Sequence, residues 1–329
     1  MEQTTYKKNA VFVSAGKTSL HRQLLKGDAN FDLHLLIYDD SYSLFCHDTK
    51  FISVQSGYKM DMTYRYLQSH PEFLENYEYF FLMDDDIEMS SEDVNRMFHM
   101  MREYDLKIAQ PSLVMSYYTY KHTAHHPLCI LRYTNFVEMM VPCFSKEALV
   151  KVLPTFEKKV RWGGIECHWP VLVEASQEDM AVIDAVCAVH THPVSSWSPQ
   201  SQRQMIEYLE RNNLSWSVEE YAPILREGIS LEEKQVFDQV REHCWKLRNW
   251  LYHGGLLQMK STDAMVVITF LLLNFILWDD RRGLDVTAKL MTKLDSEQDE
   301  RHFAELLKIC SSSIDTLEKI LPWETTCRR

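Results

Sequence analysis

Three consecutive aspartates, Asp84-Asp85-Asp86, follow directly on the apolar run YFFLM. Carboxylates crowded at the end of a buried strand repel one another and are tolerated chiefly where a cation or hydrogen-bond donors neutralise them. In an extended segment Asp84 and Asp86 point to one side, where they would share one Mg2+ or Mn2+, while Asp85 points away. A solvated acidic helix entry is the plain alternative, because Asp and Ser cap helices and Ser90-Ser91 follow, although capping needs one acid rather than three. Farther along, His190 and His192 flank Thr191 at the end of MAVIDAVCAVHTH, and alternation sets both imidazoles on one face. Joined to Asp84 and Asp86, His190, or failing it His192, is a candidate third ligand of the class that suits Mn2+ beside carboxylates. Two partly buried histidines bonded to the backbone are the competing interpretation.

RWGGIECHW, residues 161–169, combines Trp162, a Gly163-Gly164 pair and Glu166 in a chain that has only nine glycines. Glycine lets the backbone approach a ligand, Trp offers a flat apolar face suited to a sugar ring, and Glu166 can take a proton from an attacking hydroxyl. A glycine turn with a packed Trp and a surface Glu would look the same. AGKTS at 15–19 invites comparison with a phosphate-binding P-loop, but the required first glycine is Val11, so the backbone nest is lost. The amides of Ala15 and Gly16 still lie where a strand-to-helix turn can face a nucleotide. Asp39-Asp40 closes another strand, where a carboxylate can accept from ribose hydroxyls or simply make a turn with Ser41. Between residues 120 and 145, His122, His125 and His126 match no closed zinc pattern and suit a polar loop. Arg132, Asn135 and Glu138 are candidates to orient a phosphate or hydroxyls, or are ordinary strand residues.

These groups need a scaffold, and through about residue 195 short apolar strands alternate with helical stretches as in α/β domains. Strands are predicted at 10–16, 32–40, 51–57 and 77–86, with helices over about 19–26, 59–69 and 91–104. LKIAQPSLVM, TNFVEMMVPCFS and MAVIDAVCAVHTH supply three further strand-like runs. After SSWSP the texture becomes almost entirely helical in period, so a boundary is drawn near residue 197. Residues 1–197 are then a nucleotide-sized α/β domain, and 198–329 a helical domain for acceptor binding or oligomerisation.

The 329 residues carry 35 Lys and Arg against 47 Asp and Glu, a net charge of -12. That lacks the basic field that nucleic-acid binding requires, so any polyanionic ligand must be met by local groups or a metal. The eight cysteines show no C-x-x-C spacing, and several sit in apolar runs, which favours a reducing, cytoplasmic setting. The N-terminus reads as unprocessed, because its apolar stretch leads straight into strand-like alternation. The longest apolar run, Ala264 to Trp278, would make roughly 22 Å of helix against a hydrocarbon core of about 30 Å. With Asp263, Asp279 and Asn274 around and within it, a buried helix is expected rather than a transmembrane one.

Taken in order, YDDS, FLMDDDIEM, IAQPSL, RYTNFVEMMVPCFS, WGGIE and VIDAVCAVHTHPV resemble the domain-of-unknown-function family seven hundred and seven. Through it, the chain resembles the GT-A nucleotide-diphospho-sugar glycosyltransferases over about residues 8–197. The resemblance implies a Rossmann-like mixed sheet, with Asp84 and Asp86 holding Mn2+ or Mg2+ on the diphosphate of a sugar nucleotide and His190 as the late metal-binding histidine. It implies Glu166 as the acid near the acceptor, although the family more often shows W-G-L-D where this chain has WGGIE. Ala15, Gly16, Asp39, Asp40, Asp85, Trp162, Gly163 and Gly164 are the expected donor-binding positions. The expected activity is transfer of a sugar from a nucleoside-diphosphate donor, a UDP-sugar favoured, to a hydroxyl of a glycan, protein or small molecule. The alternatives are a metal-dependent phosphodiester or pyrophosphate hydrolase on the same acids, and a non-catalytic sugar- or partner-binding module.

Overall fold

Short runs of branched and aromatic side chains with both faces apolar make strands that must be covered on both sides, as parallel strands are. β1 (Asn9–Ala15) is buried along its whole length, β2 (Phe31–Ile37) nearly so, and β3 (Phe51–Val54) and β4 (Tyr79–Asp84) complete this half of the sheet. β1 pairs in parallel with both β2 and β4, and β2 in parallel with β3. The computed structural model describes residues 5–114, 120–157, 163–192 and 199–252. Ala264 to Trp278 and Trp162 lie outside them.

Antiparallel pairing takes over in the other half of the sheet. β8 (Cys143–Ser145) runs against β4 and against β6 (Ile108–Leu113), and β7 (Cys129–Thr134) runs against β9 (Met180–His190). With β10 (Glu220–Leu225) at one edge, the order across the sheet is β10-β7-β9-β6-β8-β4-β1-β2-β3, with the two-residue β5 (Ile87–Glu88) pairing β9 off this path. The mixed α/β sheet expected from the sequence is therefore present, and its parallel and antiparallel halves meet at β4 and β8. Ligands of open α/β sheets bind at such a change of direction, beyond the carboxyl ends of the parallel strands.

Helices α1 (Tyr42–Phe45), α2 (Lys59–Ser69), α3 (Glu72–Asn76), α4 (Ser91–Glu103), α5 (Lys146–Phe156) and α6 (Trp169–Leu172) connect the strands. One core joins Phe12 and Phe80 of the sheet to Met60 and Tyr66 of α2, Leu149 and Val152 of α5, and Trp169 of α6. The α4 entry carries a capping box: the Ser90 hydroxyl accepts from the Asp93 amide at 3.1 Å, and the Asp93 carboxylate accepts from the Ser90 amide at 3.4 Å.

The chain separates into two compact units, one of residues Met1–Ser112 with Ile130–Ile224, the other of Leu113–Cys129 with the chain from Leu225. The first carries the sheet, together with helix α7 (Pro199–Arg211). β10 (Glu220–Leu225) corrects the expectation of a wholly helical C-terminal region: alternating exposure and a proline at 223 suit an edge strand rather than a helix. In the second unit α8 (Leu231–Tyr252) does follow the helical period. No helix among the described residues is long and apolar enough to cross a membrane.

The antiparallel half is tied by a buried charge pair. Arg132 grips Asp184 with two bonds, Nε to Oδ2 at 2.7 Å and Nη2 to Oδ1 at 3.1 Å, and reaches Glu220 with Nη1 at 3.1 Å. Arg132 is 2% exposed and Asp184 0%, so removing one partner strands the other charge in the interior. Asp184→Ala is expected to lower stability to urea by about 3–5 kcal/mol, and Arg132→Met with Asp184→Leu together to recover most of that loss.

Candidate active site

The apolar β4 delivers the three aspartates to the junction of the two half-sheets, and the strand stops at Asp84. Alternation therefore does not run on through Asp85 and Asp86, and the three side chains part company. Asp84 Oδ1 meets the ammonium of Lys59 at 2.7 Å. Asp85 Oδ2 accepts from the Gly16 amide at 2.7 Å and from the Tyr38 hydroxyl at 2.8 Å. Asp86 Oδ2 lies 3.1 Å from His190 Nε2 and 3.6 Å from His192 Nδ1.

The last contact is fixed by the backbone. β5 pairs Ile87 with His190 and Glu88 with Val189, and the Thr191 amide and hydroxyl both donate to the Asp86 carbonyl, at 3.1 and 2.9 Å. Burial alone would raise Asp86, but the hydrogen bond and charge of His190, helped by His192, carry it below its ordinary value. Burial raises Asp84 above the usual carboxylate range against the pull of Lys59, and raises Asp85 against its two donors.

Lys59 is a residue that sequence reasoning missed. It opens α2, where the helix dipole disfavours a cation, and that unfavourable placement was the available signal. Its ammonium is buried and also donates to the Met140 carbonyl at 2.5 Å. Tyr38 was missed as well, although it immediately precedes Asp39-Asp40. Its ring stands where a Cβ on residue 16 would have to go, so only glycine admits the Asp85 bond and the ring together. Asp39 takes the Lys17 amide at 2.8 Å on one oxygen and the Ser41 amide at 2.9 Å on the other, and bonding to Ser41 above all lowers its pKa. Asp40 is exposed. Ala15 ends β1 beside these groups, and its carbonyl accepts from the Tyr38 amide.

Glu166 comes from a different part of the unit. Gly163 and Gly164 both have φ of +101°, a conformation that side chains resist, and the turn they allow draws Glu166 inside, where it is 1% exposed. Burial lifts its carboxyl to about 7 against the amides of Glu166 itself, Gly164 and Met139 that donate to it, with Lys59 pulling in the same direction as the amides. Among the described residues its Oε2 has no hydrogen-bond partner. Helix α7 backs this turn: Met205 and Tyr208 lie against Gly164, and the Tyr208 hydroxyl bonds His168 Nδ1 at 2.9 Å.

Other candidates have structural partners. Besides Arg132, Asn135 holds the chain before β10 through the Glu219 amide at 2.7 Å and the Ser217 carbonyl at 3.4 Å. In the second unit His126 Nε2 pairs with Asp238 at 3.0 Å. The stretch read as one strand from 134 to 145 is a strand only from Cys143, because the polar groups of 138–140 bond instead to Gln110, Glu166, Lys59 and Asp84.

A divalent ion can be tested against these donors. Two ligands at right angles on an ion with bonds of ~2.1 Å lie about 3 Å apart, which is the spacing of Asp86 and His190. Among the described residues no three His, Cys, Asp or Glu side chains form a closed metal cage. A pair of protein ligands completed by substrate phosphates is nevertheless an ordinary arrangement for Mg2+, so the residues fit.

The family resemblance expected from the motifs is found over residues 17–132, which match the family described as a protein of unknown function, DUF707. No curated protein matches the sequence. Among solved structures, the chain is similar to GalNAc-T7 with UDP, GalNAc and Mn2+, at 8% identity and a TM-score of 0.45 over 63% of this chain and 48% of that one. It is also similar to glucosyl-3-phosphoglycerate synthase from Mycobacterium tuberculosis in complex with Mn2+, UDP-glucose and phosphoglyceric acid, at 10% identity and a TM-score of 0.42 over 70% and 91% of the two chains. A third is CMP:2-keto-3-deoxy-manno-octonic acid synthetase complexed with CTP, at 9% identity and 0.35 over 62% and 100%. The chain spans about half the length of the first of these.

Burial lifts Glu138 as well, to about 8 from an ordinary 4.5. Glu138 and Glu166 are thus harder to ionise folded than unfolded, so the folded state holds more protons between about pH 4.5 and 8 and stability falls as pH rises through that window. Without metal, Tm is expected to decline from about pH 5 to 8. Glu138→Gln with Glu166→Gln should flatten that decline in a calorimetric pH series.

Proposed function

We propose that the chain is a metal-dependent glycosyltransferase that moves a sugar from a nucleoside-diphosphate donor, preferentially a UDP-sugar, to an acceptor hydroxyl. The observation that carries this reading is the Asp86–His190 pair at the carboxyl end of the parallel strands, in the same unit as a buried glutamate with an open oxygen. Lys59 bonds Asp84, two residues before Asp86, and its charge bears on Glu166.

In this reading Asp86 and His190 hold Mn2+ or Mg2+, with His192 beside them and Asp84 anchored on Lys59. A divalent ion so held supplies Lewis-acid neutralisation of charge on a diphosphate leaving group. The Asp39-Asp40 carboxylates accept from ribose hydroxyls at the ends of the neighbouring strands, where Tyr38 adds an exposed ring. Glu166 takes the proton of the acceptor hydroxyl if configuration inverts, and orients the acceptor if it is retained. A carboxyl poised near 7 suits a general base at neutral pH, because once ionised it accepts a proton readily, and its burial excludes competing water.

The test is a thermal-shift and turnover panel of UDP-, GDP-, CMP- and dTDP-sugars with and without Mn2+, since a ligand bound only by the folded state raises Tm. At least one sugar nucleotide should raise Tm only with metal, and no shift with any of them would reject the reading. Asp86→Ala is expected to lower metal-dependent release of nucleoside diphosphate about 100-fold or more. Glu166→Gln should lose roughly 10²- to 10⁴-fold in transfer while donor affinity holds, and the acid limb of the rate profile near pH 7 should vanish with it.

A further inference from the structure

Glu138 has a buried side chain, 8% exposed, and its Oε2 has no hydrogen-bond partner among the described residues. Its backbone is held in place, the amide donating to Gln110 Oε1 at 2.7 Å. The two residues that follow are also committed: the Met139 amide donates to the Glu166 carboxylate, and the Met140 carbonyl accepts from Lys59 Nζ at 2.5 Å and from the Asp84 amide at 3.2 Å. Three consecutive residues thus run from the acid turn to the aspartate strand, and the one side chain among them able to accept from a ligand is Glu138. The charges that act on its carboxyl come from both ends, Glu166 on one side and His190, Asp84 and Lys59 on the other.

A buried acceptor without a donor is costly and calls for a ligand group that supplies one. A diphosphate offers only acceptors at neutral pH, so it cannot supply the missing donor. An ammonium would add a second cation to a carboxyl on which the charge of Lys59 already acts. A neutral hydroxyl fits. In the glycosyltransferase reading a sugar in transit lies between the diphosphate at Asp86 and His190 and the proton acceptor at Glu166, and charges from both of these ends act on Glu138. We propose that Glu138 reads the transferred sugar, its Oε2 accepting a hydrogen bond from a ring hydroxyl of the donor hexose. The inference rests on the glycosyltransferase reading and adds to it a residue that selects the sugar.

Calorimetric titration of the full chain with Mn2+ tests it, using UDP and, separately, UDP-glucose, UDP-galactose and UDP-N-acetylglucosamine. Glu138→Ala should leave the Kd for UDP unchanged and weaken the best UDP-sugar by about 5-fold or more. Glu138→Gln preserves shape and should show a smaller loss of the same sign, which decides the matter if the alanine variant does not fold. Equal loss for UDP and UDP-sugar, or no loss for either, overturns the proposal by reducing Glu138 to a structural role. A wild-type protein that binds UDP but none of the three sugars overturns it while leaving the nucleotide site standing. A wild-type protein that binds none of the four ligands overturns this proposal and the preference for a UDP donor, and the wider sugar-nucleotide panel then decides the transferase reading separately.

Discussion

One buried ammonium, Lys59, acts on three carboxyl groups of the first unit, Asp84, Glu138 and Glu166, and Asp85 and Asp86 follow Asp84 directly in the chain. Like charges in a poorly solvated place cannot all ionise without compensation, and the structure resolves the conflict differently for each. Asp84 is paired with the ammonium, Asp85 is bonded by an amide and a phenol, and Asp86 faces two imidazoles. Glu138 and Glu166 are left partly protonated near neutrality, each with an oxygen that no described residue uses.

The sheet makes this gathering possible. A parallel half ends all its carboxyl termini on one side, and the antiparallel half brings β9 back so that its last residue meets the chain emerging from β4. Hydrophobic burial is concentrated elsewhere: Phe12, Phe80 and Trp169 belong to the core, and the polar cluster sits where the strands run out. The inert charges are equally informative. Arg132 binds Asp184 and Glu220 among the antiparallel strands and ties that half of the sheet together.

Much of this is legible in the amino-acid order. The alternation of strand and helix, the aspartate triplet at a strand end and the glycine pair before Glu166 all depend on local chemistry, and helix α2 begins and ends at the residues its period predicts. Sequence and structure part where tertiary bonds replace local ones. Strand alternation would carry on past Asp84, but the turn into β5 overrides it and sends Asp85 to Gly16 rather than simply away. VEMM has the composition of a strand, yet its backbone groups serve Glu166, Lys59 and Asp84. Lys59 carries no motif of its own, and what makes it matter is a carboxylate twenty-five positions later in the sequence.

Strand β5 is two residues long, and that brevity has a consequence for how the chain can change. Side chains alternate with a period of two, so a ladder slipped by one position presents the opposite face. A single residue inserted between Asp86 and Ile87 would move Asp86 one position along the partner strand, away from the place opposite Thr191 from which its carboxylate meets His190. With so few rungs nothing downstream would restore the alignment. Length around β5 is therefore under tighter constraint than side-chain identity, and divergence is expected to spare the spacing from Asp86 to Glu88 even where the residues differ.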